Sequence, residues 1–248
     1  MKALITGASS GIGRDIAIEL SNRGYDLVLV ARNEDKLNET AKHCKTKTEI
    51  YPIDISTVDN CKKVYNKFKN IDILVNNAGF GLFGEFDKTD LDKELNMIDL
   101  NIKSVHILTK LYLKDMIKKD SGRILNVASS AAFLSGPLMS TYYSTKSYVY
   151  RLSTALYEEL RRIKSNVKVS VLCPGPVDTN FNNVADVSFS VKALTSSYVS
   201  RYAVDKMFKD KLVIIPGLSV RLGIYMTKFL PLKSLLKINY NMQRRKDR

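Results

Sequence analysis

Tyr142 and Lys146 stand four residues apart in the run Ser140-Thr141-Tyr142-Tyr143-Ser144-Thr145-Lys146. A helical pattern continues from there through Leu152, Leu156 and Leu160, and residues four apart on a helix share a face. The spacing sets a phenol beside an ammonium. An unperturbed tyrosine titrates near ~10, and a positive charge within a few Å favours the phenolate. The pair thus predicts a tyrosine able to give or take a proton near neutrality. Such pairs also occur on ordinary helices, so the surrounding elements have to decide.

Those elements alternate. Lys2–Thr6 reads as a buried strand, followed by Gly7-Ala8-Ser9-Ser10-Gly11-Ile12-Gly13 and a helix ending near Gly24. A strand, a glycine turn and a helix aim backbone N–H groups and a positive helix end at a phosphate. A second strand, Asp26–Ala31, is followed by Arg32 at the place where an acid would take a ribose 2′-hydroxyl. An arginine there accommodates a 2′-phosphate, which favours NADP(H) over NAD(H). Further strands are predicted at Thr48–Ile53, closed by Asp54, and at Ile71–Val75, running into Asn76-Asn77-Ala78-Gly79. Arg123–Val127 leads to Ser129-Ser130, Val167–Leu172 leads to Cys173-Pro174-Gly175, and Leu212–Ile215 is short. Helices are predicted over 33–45, 57–69 and Leu91 to Lys118. The last contains Asn101, a poor helix former whose simplest role is a local back-bond to a carbonyl. Continuous Val/Ile/Leu strands alternating with helices predict a doubly wound parallel α/β sheet of about seven strands, with helices on both faces. Ligands of such sheets lie beyond the strand C-termini, where the glycine turn, Arg32, Asp54, Asn77, Ser129 and Pro174 all fall.

A length of 248 residues is consistent with one α/β domain over 1–248. Cys44, Cys61 and Cys173 show no C-x-x-C spacing and no paired histidine. They therefore indicate neither a disulfide framework nor a metal site, and a reduced, cytoplasmic setting is expected. Met1-Lys2 leads directly into a strand, which argues against a signal peptide. The formal charge of +14 is concentrated late: residues 201–248 hold 12 Lys and Arg against Asp205, Asp210 and Asp247.

Taken together, Thr6-Gly7-x-x-x-Gly11-x-Gly13, Asp54, Asn76-Asn77-Ala78-Gly79, Asn101, Ser129, Tyr142-x-x-x-Lys146 and Pro174-Gly175 with Thr179 resemble the short-chain dehydrogenase/reductase family. The resemblance covers residues 2–180 and implies a Rossmann-like domain. It also implies that Tyr142 donates a proton to a carbonyl under reduction and that Ser129 holds the carbonyl oxygen, with Ser130 the second choice. Lys146 would bind the nicotinamide ribose and lower the phenol's pKa, and Asn101 would support a water-linked relay. The cofactor would rest on Gly7, Ser9, Ser10, Gly11, Ile12, Gly13, Arg32, Asp54, Ile55, Asn77, Ala78, Gly79, Tyr142, Lys146, Pro174, Gly175, Val177 and Thr179. NADP-preferring members often carry a basic residue before the second glycine. Ser10 stands there, so the case for NADP rests on Arg32.

The expected activity is reduction of a hydrophobic ketone, keto ester, or acyl or steroid-like carbonyl to a secondary alcohol. The alternative is a non-catalytic dinucleotide-binding sensor or scaffold on the same fold. Expected pocket walls are Phe80, Leu82, Phe83, Phe86, Phe133, Leu134 and Met139. A lid region is expected over 180–210, with Phe181, Val184, Val187, Phe189 and Val191 in its first half. A basic helical extension follows over 217–248, where Leu218, Leu222, Tyr225, Met226 and Phe229 form an apolar stripe. The reading over 217–236 is one helical element with that stripe buried on the sheet domain or a second subunit. Peripheral membrane contact is the disfavoured rival, and charges interrupt any transmembrane span. A homo-oligomer is expected. The basic tail Gln243–Arg248 comes without a nucleic-acid recognition motif.

Overall fold

The computed structural model describes residues 1–179, 193–227 and 229–244. The strands are β1 (Lys2–Thr6), β2 (Asp26–Ala31), β3 (Thr48–Pro52), β4 (Ile73–Asn76), β5 (Arg123–Val127), β6 (Lys168–Leu172), β7 (Val177–Asp178), β8 (Leu194–Thr195) and β9 (Val213–Ile214). The helices are α1 (Gly11–Asn22), α2 (Glu34–Lys42), α3 (Val58–Lys67), α4 (Leu91–Ile98), α5 (Ser104–Lys119), α6 (Ser140–Arg162), α7 (Ser196–Phe208), α8 (Leu218–Thr227) and α9 (Leu232–Arg244). Seven strands form one parallel sheet in the order β3-β2-β1-β4-β5-β6-β9, and β7 pairs with β8 apart from it.

Side chains alternate across a strand, and here both faces are apolar. Ala3, Ile5, Leu27, Leu29, Ile73 and Val75 face a core shared with Ile16, Leu20, Val199 and Met207 of α1 and α7. Leu4, Val28, Val30, Leu74 and Ile124 face the opposite core with Val64, Leu108, Tyr112 and Leu160 of α3, α5 and α6. The result is three layers with every central strand covered on both sides, as the uninterrupted apolar runs require. Several helix starts are pinned locally: Asn33, Thr57 and Asp90 each accept a backbone N–H three residues on.

The helical run expected over Leu91 to Lys118 is present, and a five-residue π turn at Asp99–Lys103 widens it between α4 and α5. Two expectations about elements need correction. The extension over 217–236 is not one helix. It breaks between α8 and α9, where Pro231 lacks an N–H and its ring clashes with a continuing helix. Its stripe is also not buried within the chain, since Leu218, Leu222, Tyr225, Met226 and Phe229 are all more than half exposed. The reason is orientation: α8 turns Val220, Ile224 and Thr227 inward instead. Of the expected lid, residues 180–192 lie outside the described residues. Residues 196–208 form α7, whose Val199, Ala203, Val204 and Met207 belong to the core beside α1.

Candidate active site

The glycine turn is held from three sides. Gly7 N–H donates to Val30 O at 2.8 Å, and Thr40 Oγ1 of α2 donates to Ala8 O at 3.0 Å. From β4, Asn77 Nδ2 donates to Thr6 O at 3.0 Å and to Gly7 O at 3.2 Å. Thr6 Oγ1 accepts the N–H groups of Asn77 and Ala78 at 2.9 and 3.1 Å. The ends of β1 and β4 are thereby clasped together, and the crowding explains the glycines. Gly7 has φ +66°, and a Cβ there would lie 2.8 Å from Asn77 Nδ2. A Cβ on Gly13 would lie 2.3 Å from both Asn77 Nδ2 and Gly7 O. Gly11 abuts Thr179, to whose Cγ2 a Cβ would come within 3.0 Å.

Helix α6 starts at the C-terminal edge of β5 and carries Tyr142 and Lys146 on its buried face. Lys146 Nζ donates to Val127 O at 3.1 Å and stands 5.9 Å from the centroid of the Tyr142 ring. Burial pushes the ammonium's pKa down to about 8. Burial also pushes the Tyr142 phenol well above the usual tyrosine range, and its hydrogen bond with Ser129 offsets only part of that. The phenol's pKa is thus raised, where the spacing to Lys146 predicts a fall, because desolvation disfavours charge on both groups.

Of the two candidate serines, Ser129 is hydrogen-bonded to Tyr142. Its Oγ also accepts Ala131 N–H at 3.1 Å and so starts a short 3₁₀ turn, Ser130–Phe133. The backbone N–H of Ser130 donates to Pro174 O at 2.7 Å, tying that turn to the Pro174-Gly175 loop.

Asn101 sits in the π turn, where Ser104 N–H reaches back five residues to Asp99 O. Such turns recur at functional sites. The expected local back-bond is replaced by long-range ones. Asn101 Oδ1 accepts Phe80 N–H at 3.1 Å, while Nδ2 donates to Phe80 O at 2.9 Å and to Thr145 Oγ1 at 3.1 Å. Gly79 fits against this amide and Lys146: a Cβ there would lie 2.7 Å from Asn101 Oδ1 and 3.3 Å from Lys146 Nζ.

Other expected site residues ring this centre. Arg32, at the end of β2, is exposed and enters no ion pair among the described residues. Asp54 Oδ1 accepts Ser56 N–H at 2.9 Å after β3. Ser9 is half-buried, Ser10 exposed and Ile12 partly buried at the start of α1, whereas Ile55 and Val177 place their side chains in the two cores. Phe80, Leu82, Phe83 and Met139 do form an apolar wall with Met97 and Tyr142. Phe133 does not join it; it packs edge-on against Tyr150 at 4.7 Å, in a separate cluster with Val149 and Cys173. Phe86 stands in solvent. Tyr143 turns away from Lys146 toward Gln243 of α9.

Sequence reasoning missed two contributors. Thr145, next to Lys146, holds Asn101. Cys173 lies against Lys146 and accepts the Ser129 backbone N–H, and burial pushes its thiol up to about 12. Only the position of Cys173 beside Pro174 offered any signal.

The family model described as short chain dehydrogenase matches residues 1–187. The chain belongs to the short-chain dehydrogenase family. It is 37% identical over 188 residues to an uncharacterized oxidoreductase of Staphylococcus epidermidis, spanning 74% of this chain and 81% of that one. Among solved structures, it is similar to a short-chain dehydrogenase from Sphingobium yanoikuyae in complex with NADPH. The TM-score is 0.83 and the identity 28%, over 94% of this chain and 95% of that one. It also matches the bulky-bulky ketone specific alcohol dehydrogenase of Comamonas testosteroni, with TM-score 0.79 and 26% identity over 94% and 93% of the two chains. The chain is thus an oxidoreductase of the short-chain dehydrogenase type with a Rossmann-like fold.

Proposed function

We propose that this chain uses NADPH to reduce a hydrophobic ketone, keto ester, or acyl or steroid-like carbonyl to a secondary alcohol, with Tyr142 as the proton donor. The observation that carries the reading is the Tyr142 hydroxyl, bonded to Ser129 within an apolar wall and beside Lys146. A phenol whose pKa is raised by burial keeps its proton at neutral pH, which is the state a donor needs. An alkoxide forming at the carbonyl is far more basic than any phenolate, so transfer from Tyr142 Oη runs downhill. Ser129 gives a hydrogen bond to the same oxygen, and Lys146 supplies positive charge nearby, both worth most as negative charge develops. Asn101 fastens the Phe80 backbone to α6 and so fixes the distance between the two halves of the site.

The residues present fit a dinucleotide. The positive-φ glycines and the absence of room for a Cβ at Gly13 let backbone N–H groups line the approach to α1, and no side chain caps that helix. Gly7, Ser9, Ser10, Gly11, Ile12 and Gly13 would hold the pyrophosphate. Arg32 would take the 2′-phosphate, Asp54 and Ile55 would flank the adenine, and Asn77, Ala78, Gly79, Tyr142 and Lys146 would meet the nicotinamide ribose. Pro174, Gly175, Val177 and Thr179 would border the ring. When bound, that cofactor supplies the hydride. The Comamonas enzyme is named as specific for bulky-bulky ketones, and the apolar wall of Phe80, Leu82 and Phe83 would suit a ketone. A non-catalytic sensor would need the glycine turn but would have no use for the Ser129–Tyr142 pair.

The test is NADPH consumption against a panel of bulky ketones and keto esters, with Tyr142→Phe and Tyr143→Phe alongside. Tyr142→Phe should lose about 10²-fold or more in kcat while NADPH still binds, and Tyr143→Phe should keep most activity. Equal losses in the two variants would remove Tyr142 from the donor role. A wild type that binds NADPH yet turns over no carbonyl would favour the sensor.

A further inference from the structure

We infer that α8 and α9 form a docking surface for an anionic lipid bilayer, beside the mouth of the candidate active site. This goes beyond the proposed reaction and does not depend on it.

The two helices leave much of their apolar surface outside. More than half of the large hydrophobic side chains that stand exposed among the described residues fall within 218–242. Leu218, Leu222, Met226, Phe229 and Leu232 are each 56–67% exposed. The inward side of α9 is mixed: Leu235 and Leu236 are part-buried, and its two most buried side chains are polar. Asn239 and Gln243 are 5% and 2% exposed, with Asn239 Nδ2 donating to Ser135 O and Gln243 Nε2 to Tyr143 OH. A helix that seats its amides on the protein and leaves Ile238 and Met242 outside has an apolar face directed away from the core. Contiguous exposed apolar patches of this kind mark sites of association.

Charge selects the occupant. Among the described residues, α8 and α9 carry Arg221, Lys233, Lys237 and Arg244 and no Asp or Glu. A second copy of the chain would bring the same cations against these, whereas an anionic lipid surface complements them. Apolar residues flanked by basic ones on a helix of this length lie in a bilayer interface without spanning it, and no described helix is long and apolar enough to cross a membrane.

The patch also borders the candidate active site. Val220 anchors α8 on the Pro174-Gly175 loop, so closely that a Cβ on Gly175 would lie 2.7 Å from Val220 Cγ2. The same helix rests against the 3₁₀ turn that follows Ser129.

The test is cosedimentation of the full-length protein with vesicles of phosphatidylcholine, with or without ~30% phosphatidylserine, at ~50 mM and ~500 mM salt. Binding is expected only with phosphatidylserine and only at low salt. Lys233→Glu with Lys237→Glu should weaken it about tenfold or more. Leu222→Gln with Met226→Gln should abolish it at any salt, with the thermal transition kept. Sedimentation velocity is run on the same samples. Failure of the wild type to bind anionic vesicles overturns the proposal, as does unchanged binding by the apolar pair. A wild-type dimer that the apolar pair converts to monomer, with no vesicle binding, would assign the patch to a second copy of the chain.

Discussion

Lys146 is held in a place that opposes its charge. Its folded-state pKa, pushed down to about 8, lies below the ordinary 10.5. Below pH 8 the ammonium must stay charged while buried, at a cost of ~3 kcal/mol from about 1.4 kcal/mol per pKa unit. Between 8 and 10.5 the unfolded chain binds the proton that the folded chain has lost, so stability rises with pH across that window. The stability of the wild type relative to Lys146→Met should therefore climb by up to ~3 kcal/mol as pH passes from below 8 to above 10.5. Denaturant titrations of both proteins across that range measure it, and a flat difference would show that the site solvates Lys146 well enough to leave its pKa alone. At neutral pH the same residue is still mostly protonated, which is the form the proposed reduction would need beside the carbonyl oxygen.

At the scale of elements, the glycine turn shows how a backbone path dictates residue type. The clasp between Thr6 and Asn77 draws β1 and β4 so close that Gly13 has the Gly7 backbone as well as the hydrogen-bonded Asn77 amide in the way of any Cβ. Gly13→Ala should therefore destabilise the fold by about 1–3 kcal/mol, as overpacking does, and weaken NADPH binding at least tenfold. Gly223→Ala is the control. It lies within α8 with nothing near its Cβ position, so it should raise stability by about 0.5–1 kcal/mol. Thermal melts and NADPH fluorescence titrations of the two variants check both directions. An unperturbed Gly13→Ala would mean that the clasp opens easily. The π turn between α4 and α5 is a second case, since one widened turn carries Asn101 to Phe80 and Thr145 and links two elements that share no sequence neighbourhood.

At the scale of the whole molecule, the order β3-β2-β1-β4-β5-β6-β9 puts the chain reversal between β1 and β4. The end of β2, with Ala31 and Arg32, lies alongside β1 and so next to the glycine turn. That adjacency supports a preference for NADPH over NADH. Ala31→Asp combined with Arg32→Ala should reverse it, because a carboxylate repels a 2′-phosphate and accepts from a 2′-hydroxyl. The ratio of kcat/KM for the two cofactors in wild type and double variant reads the effect. A wild type that favours NADH would remove Arg32 from the argument.

The sequence by itself determined the parallel sheet and the order of its elements, because strands buried on both faces must be apolar at every position and that pattern is local. It also determined the Tyr142–Lys146 spacing and the glycine turn, since helical periodicity and the need for positive φ are set by nearby residues. Only the tertiary structure decided which serine meets Tyr142, because Ser129 and Ser130 differ by a single turn position that the Pro174 contact selects. It alone assigned Asn101 to Phe80 and Thr145 and moved Phe133 out of the apolar wall. It also decided that burial raises the phenol's pKa, where the spacing to Lys146 alone predicts a fall. The stripe from Leu218 to Phe229 is the clearest example. Helical spacing shows that apolar residues share a face, but which way that face turns depends on what Val220 and Asn239 find to hold on the rest of the protein.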